Sequence, residues 1–187
     1  MDLTHLTALR IVSLEAARAH AGQYRKDGIT PYIVHPARVA SLTAHFGGNH
    51  IAILSAWLHD VFEDCDADSC TRAGNAIDTL PLPSDDIQKI HTITAALTKN
   101  PALPKDARIP DSLARILQAP PEAVLVKICD RIDNLIDADF WDKEFRTSYY
   151  RKSNQIADTL RDAALSQGYR EAIGMLDRIL DSEKKSG

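Results

Sequence analysis

The sequence predicts an all-α fold, and three observations carry the prediction. Apolar residues recur at helical spacing through most of the 187-residue chain, and no segment shows the alternation of a half-buried strand. Clusters of glycine and proline end the periodic runs. No internal repeat or low-complexity segment interrupts them. The expectation is one domain, residues 1–187, built as a bundle of roughly eight helices.

Leu3, Leu6, Leu9, Ile11, Leu14 and Ala17 mark a first helix over residues 3–21, ended by Gly22, Gly28 and Pro31. A second, HPARVASLTAHF, carries Pro36 in its first turn and stops at Gly47-Gly48. The run IAILSAWLHDVFED (51–64) predicts one long helix, buried because few of its positions are polar. Residues 66–85 read as loop-like, with a helical piece around 70–80. PLPSDDIQKIHTITAALT starts another helix, with Ser84 as its cap and acids in its first turn. KNPALPKDARIPD reads as an ordered loop, 111–118 as a short helix and 121–138 as a longer one. The last part, 142–183, is amphipathic helix with a break near Gly168.

Composition narrows the class. The apolar fraction of 44% and charged fraction of 26% are ordinary for a globular protein. A net charge of −4 with interspersed signs excludes the basic footprint of a general nucleic-acid binder, and leaves room for a small anionic ligand held by a few local cations. Cys65, Cys70 and Cys129 form no CxxC and are odd in number, which argues for free thiols rather than a disulfide framework. The N-terminus lacks the pattern of a signal peptide, and no window approaches about 18 consecutive apolar residues. The expectation is a cytoplasmic protein with no membrane segment and no nucleic-acid partner; the oligomeric state stays open.

Four residues spread along the chain carry the chemistry: His35, the adjacent pair His59 and Asp60, and Asp130. Two imidazoles and two carboxylates form a mixed nitrogen and oxygen donor set, suited to Mn²⁺, Mg²⁺, Fe²⁺ or Zn²⁺. His59 and Glu63 are four apart, as are Asp60 and Asp64, so they project toward one side of a mostly apolar helix. Gathering carboxylates there without a cation is costly. Glu63 and Asp64 are then placed to orient or deprotonate a water. Asp130 and Asn134 repeat the spacing on another helix, while Arg131 could pair with Glu63 or Asp64. Arg25 and Lys26 lie in a Gly/Pro-bounded loop ahead of His35, where they could stack on a base or pair with phosphate oxygens. His5, His20, His45, His50 and His91 are read as loop or core residues.

The segments RKDGITPYIVHPARVA, AWLHDVFEDC and VKICDRIDNL together resemble the three signature regions of RelA/SpoT-type HD hydrolases. They fall within residues 20–140, and the resemblance extends over roughly residues 5–165. The length fits the small alarmone hydrolases of the Mesh1-like branch. The resemblance implies a single HD domain and a Mn²⁺-dependent hydrolase that removes the 3′-pyrophosphate of (p)ppGpp. His35, His59, Asp60 and Asp130 would then be the metal ligands, and Glu63 and Asp64 the pair at the attacking water. Asn134 and Tyr149 would contact the nucleotide, with Arg25 and Lys26 at its guanine and ribose end.

Ile136 departs from the family, which often carries Arg there. Pro101 stands where relatives can carry a substrate-binding Lys, a role Lys99 or Lys105 could fill. ARIPDSLARIL also lacks the basic-rich pattern of relatives. These departures bear on base preference and 5′-phosphate contacts rather than on the metal ligands. The same site on ppApp, on the 2′-phosphate of NADPH or on a deoxynucleotide is the enzymatic alternative, and a non-catalytic alarmone sensor is the other. No synthetase domain is expected.

Overall fold

A computed structural model describes the backbone of residues 2–186 and the side chains of residues 2–138 and 140–183. Ten α-helices follow one another: α1 (Leu3–Ala19), α2 (Val34–His45), α3 (His50–Leu58), α4 (Val61–Asp64), α5 (Ala67–Asp78), α6 (Ser84–Leu97), α7 (Arg108–Gln118), α8 (Glu122–Ile136), α9 (Lys143–Ser166) and α10 (Arg170–Ser186). A 3₁₀ turn, Ala138–Phe140, lies between α8 and α9. Among the described residues there is no strand, only an isolated bridge between Tyr24 and Pro31. The all-α prediction is borne out.

Four helices begin where a side-chain oxygen caps an orphan backbone N–H. Asp2 accepts from His5 (2.9 Å), Asn49 from Ala52 (3.0 Å), Asp66 from Ser69 (2.7 Å) and Asp142 from Phe145 (2.9 Å). Each such cap stabilises by about 1 kcal/mol. The break near Gly168 is present: α9 ends at Ser166, and Gly168 turns the chain at φ +87°. No helix among the described residues is long and apolar enough to cross a membrane.

Four local expectations are corrected. The long helix 51–64 is two helices, with His59 and Asp60 in the joint between α3 and α4. Residues 66–85 contain a full helix, α5, whose start is fixed by the Asp66 cap. The loop after α6 gives way to α7 already at Arg108, three residues before the expected start. Ser84 is the first residue of α6 rather than its cap; Pro83 holds the cap position without a side-chain bond.

The bundle is organised around α8, which packs against α2, α3, α6, α7, α9 and α10. Thirteen of its fifteen residues are buried. Leu125, Ile128 and Ile132 enter the core with Leu54 and Leu58 of α3 and Ile90 and Ile93 of α6. Burying each such side chain stabilises by about 1.5–3 kcal/mol. The same helix also buries Lys127, Asp130, Arg131 and Asp133. Interior charge is costly unless compensated: Asp130 and Asp133 both face His35 of α2, Lys127 pairs with Asp130, and Arg131 lies over Tyr149 of α9.

Close packing of α2 on α3 depends on Gly48. A Cβ there would lie 2.6 Å from Thr43 Cγ2 and 2.7 Å from Thr43 O, so a larger residue would push the two helices apart. That packing brings His35 on α2 to His59 at the end of α3.

Candidate metal centre and nucleotide cleft

His59 sits just beyond α3, where helix carbonyls lack intrahelical partners. Its Nδ1 donates to the carbonyl of Ala56 at 2.7 Å, which leaves Nε2 free to face inward. His35, fully buried on α2, has Nδ1 at 2.6 Å from Asp133 Oδ2, so its Nε2 also faces inward. The two Nε2 atoms lie 3.2 Å apart.

Two carboxylates complete the cluster. Asp60 Oδ2 lies 3.3 Å from His35 Nε2 and 3.2 Å from His59 Nε2. Asp130 Oδ1 lies 3.4 Å and 3.8 Å from the same atoms. The buried ligand atoms of His35, His59 and Asp130 all fall within 4.8 Å of one another. Donors held around a divalent ion by bonds of about 2.0–2.2 Å sit roughly 3–3.5 Å from their neighbours, so this set fits such an ion. Lys127 Nζ binds the other oxygen of Asp130 at 2.9 Å, and Asn134 Nδ2 holds Oδ1 at 2.6 Å, which directs a single oxygen inward.

The electrostatics agree with the donor set. Burial alone would raise Asp60 and Asp130, but the two imidazoles, and Lys127 beside Asp130, hold both well below the usual carboxylate range. Burial alone would likewise lower His59, yet Asp60 and Asp130 raise it to about 9. The carboxylates thus attract positive charge to this point, as protons or as a metal ion.

Glu63 and Asp64 lie on α4 beside the cluster, in different company. The carboxylate of Glu63 takes both the side chain and the backbone N–H of Lys99 (the latter at 3.0 Å). Among the described residues the carboxylate of Asp64 receives only the Tyr32 hydroxyl, at 3.1 Å. Burial, with Asp60 and Glu63 nearby, raises its pKa above the usual range. Arg131 pairs with neither acid. Its guanidinium lies 4.3 Å over the Tyr149 ring, and its buried Nε has no hydrogen-bond partner among the described residues.

Arg25 and Lys26 are presented by a tightly ordered loop. Asp27 Oδ1 accepts from the backbone of Ile29 and Thr30 at 2.9 Å, Arg25 N–H donates to Thr30 O at 2.8 Å, and Gly28 turns the chain at φ +72°. Arg25 donates to Asp137 (3.1 and 3.2 Å) and to Asn134 Oδ1 (3.0 Å). Lys26 Nζ lies 3.1 Å from the centre of the Phe145 ring. A cleft opens here, walled by Tyr24, Phe140, Trp141, Phe145 and Tyr149 together with Arg25. It adjoins a second hollow that contains His59, Asp60, Glu63, Asp64 and Asp130. Tyr32, Asn134, Phe145 and Tyr149 wall both.

All ten candidate residues therefore lie in one region. The sequence reading gave no role to Tyr32, Lys127, Asp133, Asp137, Trp141 or Phe145. Tyr32 stood inside a motif already singled out, and Lys127 and Asp133 lie one helical turn either side of Asp130; Trp141 and Phe145 had no comparable signal. Of the departures, Ile136 is exposed and outside both hollows, and Lys99 is the lysine of its loop that reaches the site.

A model of the HD domain matches residues 14–162. The guanosine-3′,5′-bis(diphosphate) 3′-pyrophosphohydrolase MESH1 of Xenopus tropicalis is 30% identical over 154 residues, 78% of this chain and 80% of that protein. A guanosine-3′,5′-bis(diphosphate) 3′-pyrophosphohydrolase of Haemophilus influenzae is 51% identical over 49 residues, but this stretch spans only 7% of that longer protein. The solved structure of a metazoan ortholog of SpoT shares the fold, with a TM-score of 0.75 and 24% identity over 98% of this chain and 97% of that one. HD-domain proteins of this kind use a divalent metal, and the inward-facing donors meet that need. With a family match over most of its length and a relative at 30% identity over four-fifths of that relative, the chain belongs to the HD-domain family, in its RelA/SpoT-type, MESH1-like branch.

Proposed function

We propose that this chain is a Mn²⁺-dependent (p)ppGpp 3′-pyrophosphohydrolase, converting ppGpp to GDP, or pppGpp to GTP, with release of pyrophosphate. One observation carries the reading: four inward-facing donors from His35, His59, Asp60 and Asp130 stand beside an aromatic cleft that also holds Arg25 and Lys26. A metal site alone suits many phosphoesters. A metal site joined to a stacking cleft suits a purine nucleotide whose phosphate reaches sideways into the donors. The named activity of the MESH1 relatives supports it.

His35, His59, Asp60 and Asp130 would hold the ion. When bound, it supplies charge stabilisation at a phosphoryl oxygen and a more acidic water. The protein's own groups do the rest. Water attacks the phosphorus of the 3′-linked phosphate, Asp64 takes its proton, and the bond from phosphorus to the ribose 3′ oxygen breaks. The 3′ oxygen leaves with a proton from solvent, and the other product is pyrophosphate. Lys99 holds Glu63 beside this position, so Glu63 orients while Asp64 is the better base. Arg131, buried and with its Nε unpartnered among the described residues, would supply positive charge toward the transferred phosphates. Tyr149, Trp141 and Lys26 would sandwich the base, with Arg25 held flat by Asp137 and Asn134.

Substrate ranking tests the assignment. With Mn²⁺ present, kcat/KM for ppGpp is expected to exceed that for ppApp, the 2′-phosphate of NADPH and deoxynucleoside triphosphates. A higher value for any of these would reassign the substrate while keeping the centre. Tight ppGpp binding without turnover would make the chain an alarmone sensor.

A further inference from the structure

Asp133 faces the back of the metal centre. It is fully buried, and its Oδ2 lies 2.6 Å from Nδ1 of His35, while the opposite ring nitrogen faces His59, Asp60 and Asp130. Asp130 and Asp133 are three residues apart on α8, so one helix places a carboxylate at each end of the same imidazole. The other oxygen of Asp133 lies 3.3 Å from Nε of Arg38, within reach of its charge but not aligned for a hydrogen bond. Arg38 stands three residues after His35 on α2 and also reaches Asp137, the partner of Arg25.

A buried carboxylate is a poor device for stability alone, because apolar packing of the same volume is usually as good or better. What the carboxylate does here is specific. A carboxylate accepts and does not donate, so His35 must carry its proton on Nδ1 and keep the lone pair on Nε2, the atom that faces the site. His59 obtains the same tautomer from a neutral acceptor, the Ala56 carbonyl. The two imidazoles are thus supported unequally, and the charged partner belongs to His35.

We infer that Asp133 is a positioning residue of the metal centre: it fixes the tautomer and rotation of His35 and strengthens Nε2 as a donor to a divalent cation. Arg38 offsets the charge of Asp133 and ties this support to the Asp137–Arg25 pair at the nucleotide cleft. The inference rests on the reading of His35 as a ligand, and is independent of which phosphoester is cleaved.

Mn²⁺ binding by the full chain, followed by electron paramagnetic resonance, tests it without turnover. Asp133→Ala is expected to weaken Mn²⁺ affinity about 10–100-fold. Asp133→Asn, which keeps an acceptor for the Nδ1 proton but drops the charge, falls between Asp133→Ala and the parent. In a His35→Ala background, Asp133→Ala is expected to add almost nothing, because the residue acts through that ring. At saturating Mn²⁺ the KM for nucleotide stays near the parent value. Mn²⁺ affinity within twofold of the parent in both variants would overturn the inference, as would an undiminished effect in the His35→Ala background. A lower melting temperature with unchanged affinity would likewise reduce Asp133 to a structural ion pair. If Asp133→Ala does not fold, the near-isosteric Asp133→Asn decides alone. Failure of ppGpp turnover with these affinities as expected would sink the substrate assignment and leave the role of Asp133 intact.

Discussion

The hydroxyl of Tyr32 lies 2.8 Å from Oδ2 of Asp60, the oxygen that also faces both imidazoles. The same hydroxyl is 3.1 Å from Asp64. Tyr32 therefore joins a candidate metal ligand to the candidate base. Burial, with Asp60 and Asp64 beside it, raises its pKa, so the hydroxyl stays protonated and remains a donor. A hydrogen bond to a charged group contributes about 1.5–3 kcal/mol. Tyr32→Phe is expected to lower kcat by about 10–100-fold with KM little changed, checked by steady-state kinetics at saturating Mn²⁺. An unchanged kcat would make the tyrosine a packing residue.

Glu63 and Asp64 separate by their partners. Lys99 engages Glu63, whereas Asp64 is raised by burial and by the neighbouring carboxylates. Asp64→Asn is expected to lower kcat by about 10²–10⁴-fold while leaving Mn²⁺ affinity near the parent. Glu63→Gln is expected to cost less. The reverse order of the two variants in single-turnover rates would exchange their roles.

The aromatic cleft predicts a binding effect. Trp141 and Tyr149 have ring centroids 4.6 Å apart, and both wall the cleft. Base stacking on an aromatic side chain is worth about 1–3 kcal/mol by alanine substitution. Trp141→Ala is expected to raise KM by about 5–150-fold and to change kcat far less. Equal losses in kcat would place the tryptophan in the alignment of the phosphate rather than in base binding.

His20, stacked on Tyr32 at the edge of the site, gives a pH dependence of stability. Its Nδ1 lies 2.8 Å from Gln23 Oε1, while Nε2 is buried without a partner among the described residues. Nothing accepts a second proton there, and burial lowers its pKa from the usual 6.5. The unfolded chain takes up that proton below about pH 6.5, while the folded chain resists it until the lower pKa is passed. The His20 contribution to stability therefore falls as pH drops through this window. Urea unfolding between about pH 7 and pH 5.5 is expected to show a shallower loss for His20→Phe than for the parent. Parallel slopes would show that His20 gains a partner on protonation.

Much of this was legible in the sequence because each feature was local. Apolar periodicity located α1, α2, α6, α8 and α9, and i,i+4 spacing placed Glu63 and Asp64 beside His59 and Asp60. The break at His59–Asp60 was hidden because apolar periodicity runs straight through it. A short helix and a turn of similar pitch keep the same face inward. Helix α5 was legible only as a helical piece around 70–80, because its six polar residues (Asp68, Ser69, Thr71, Arg72, Asn75 and Asp78) outnumber its five apolar ones and its start depends on the Asp66 cap. Asp133 was hidden for another reason. Its meaning comes from His35, which lies 98 residues earlier, and only the packing of α2 on α8 brings them together. Trp141 and Phe145 likewise gain a role only when the start of α9 folds back over the 25–32 loop.

The most direct test is hydrolysis of ppGpp in ¹⁸O-labelled water by chain stripped with EDTA, with Mn²⁺ withheld or restored, alongside Asp60→Ala. The account predicts GDP and pyrophosphate only when Mn²⁺ is restored to the parent chain, with the label in the pyrophosphate. Label appearing in released orthophosphate, or equal turnover by Asp60→Ala, would contradict it.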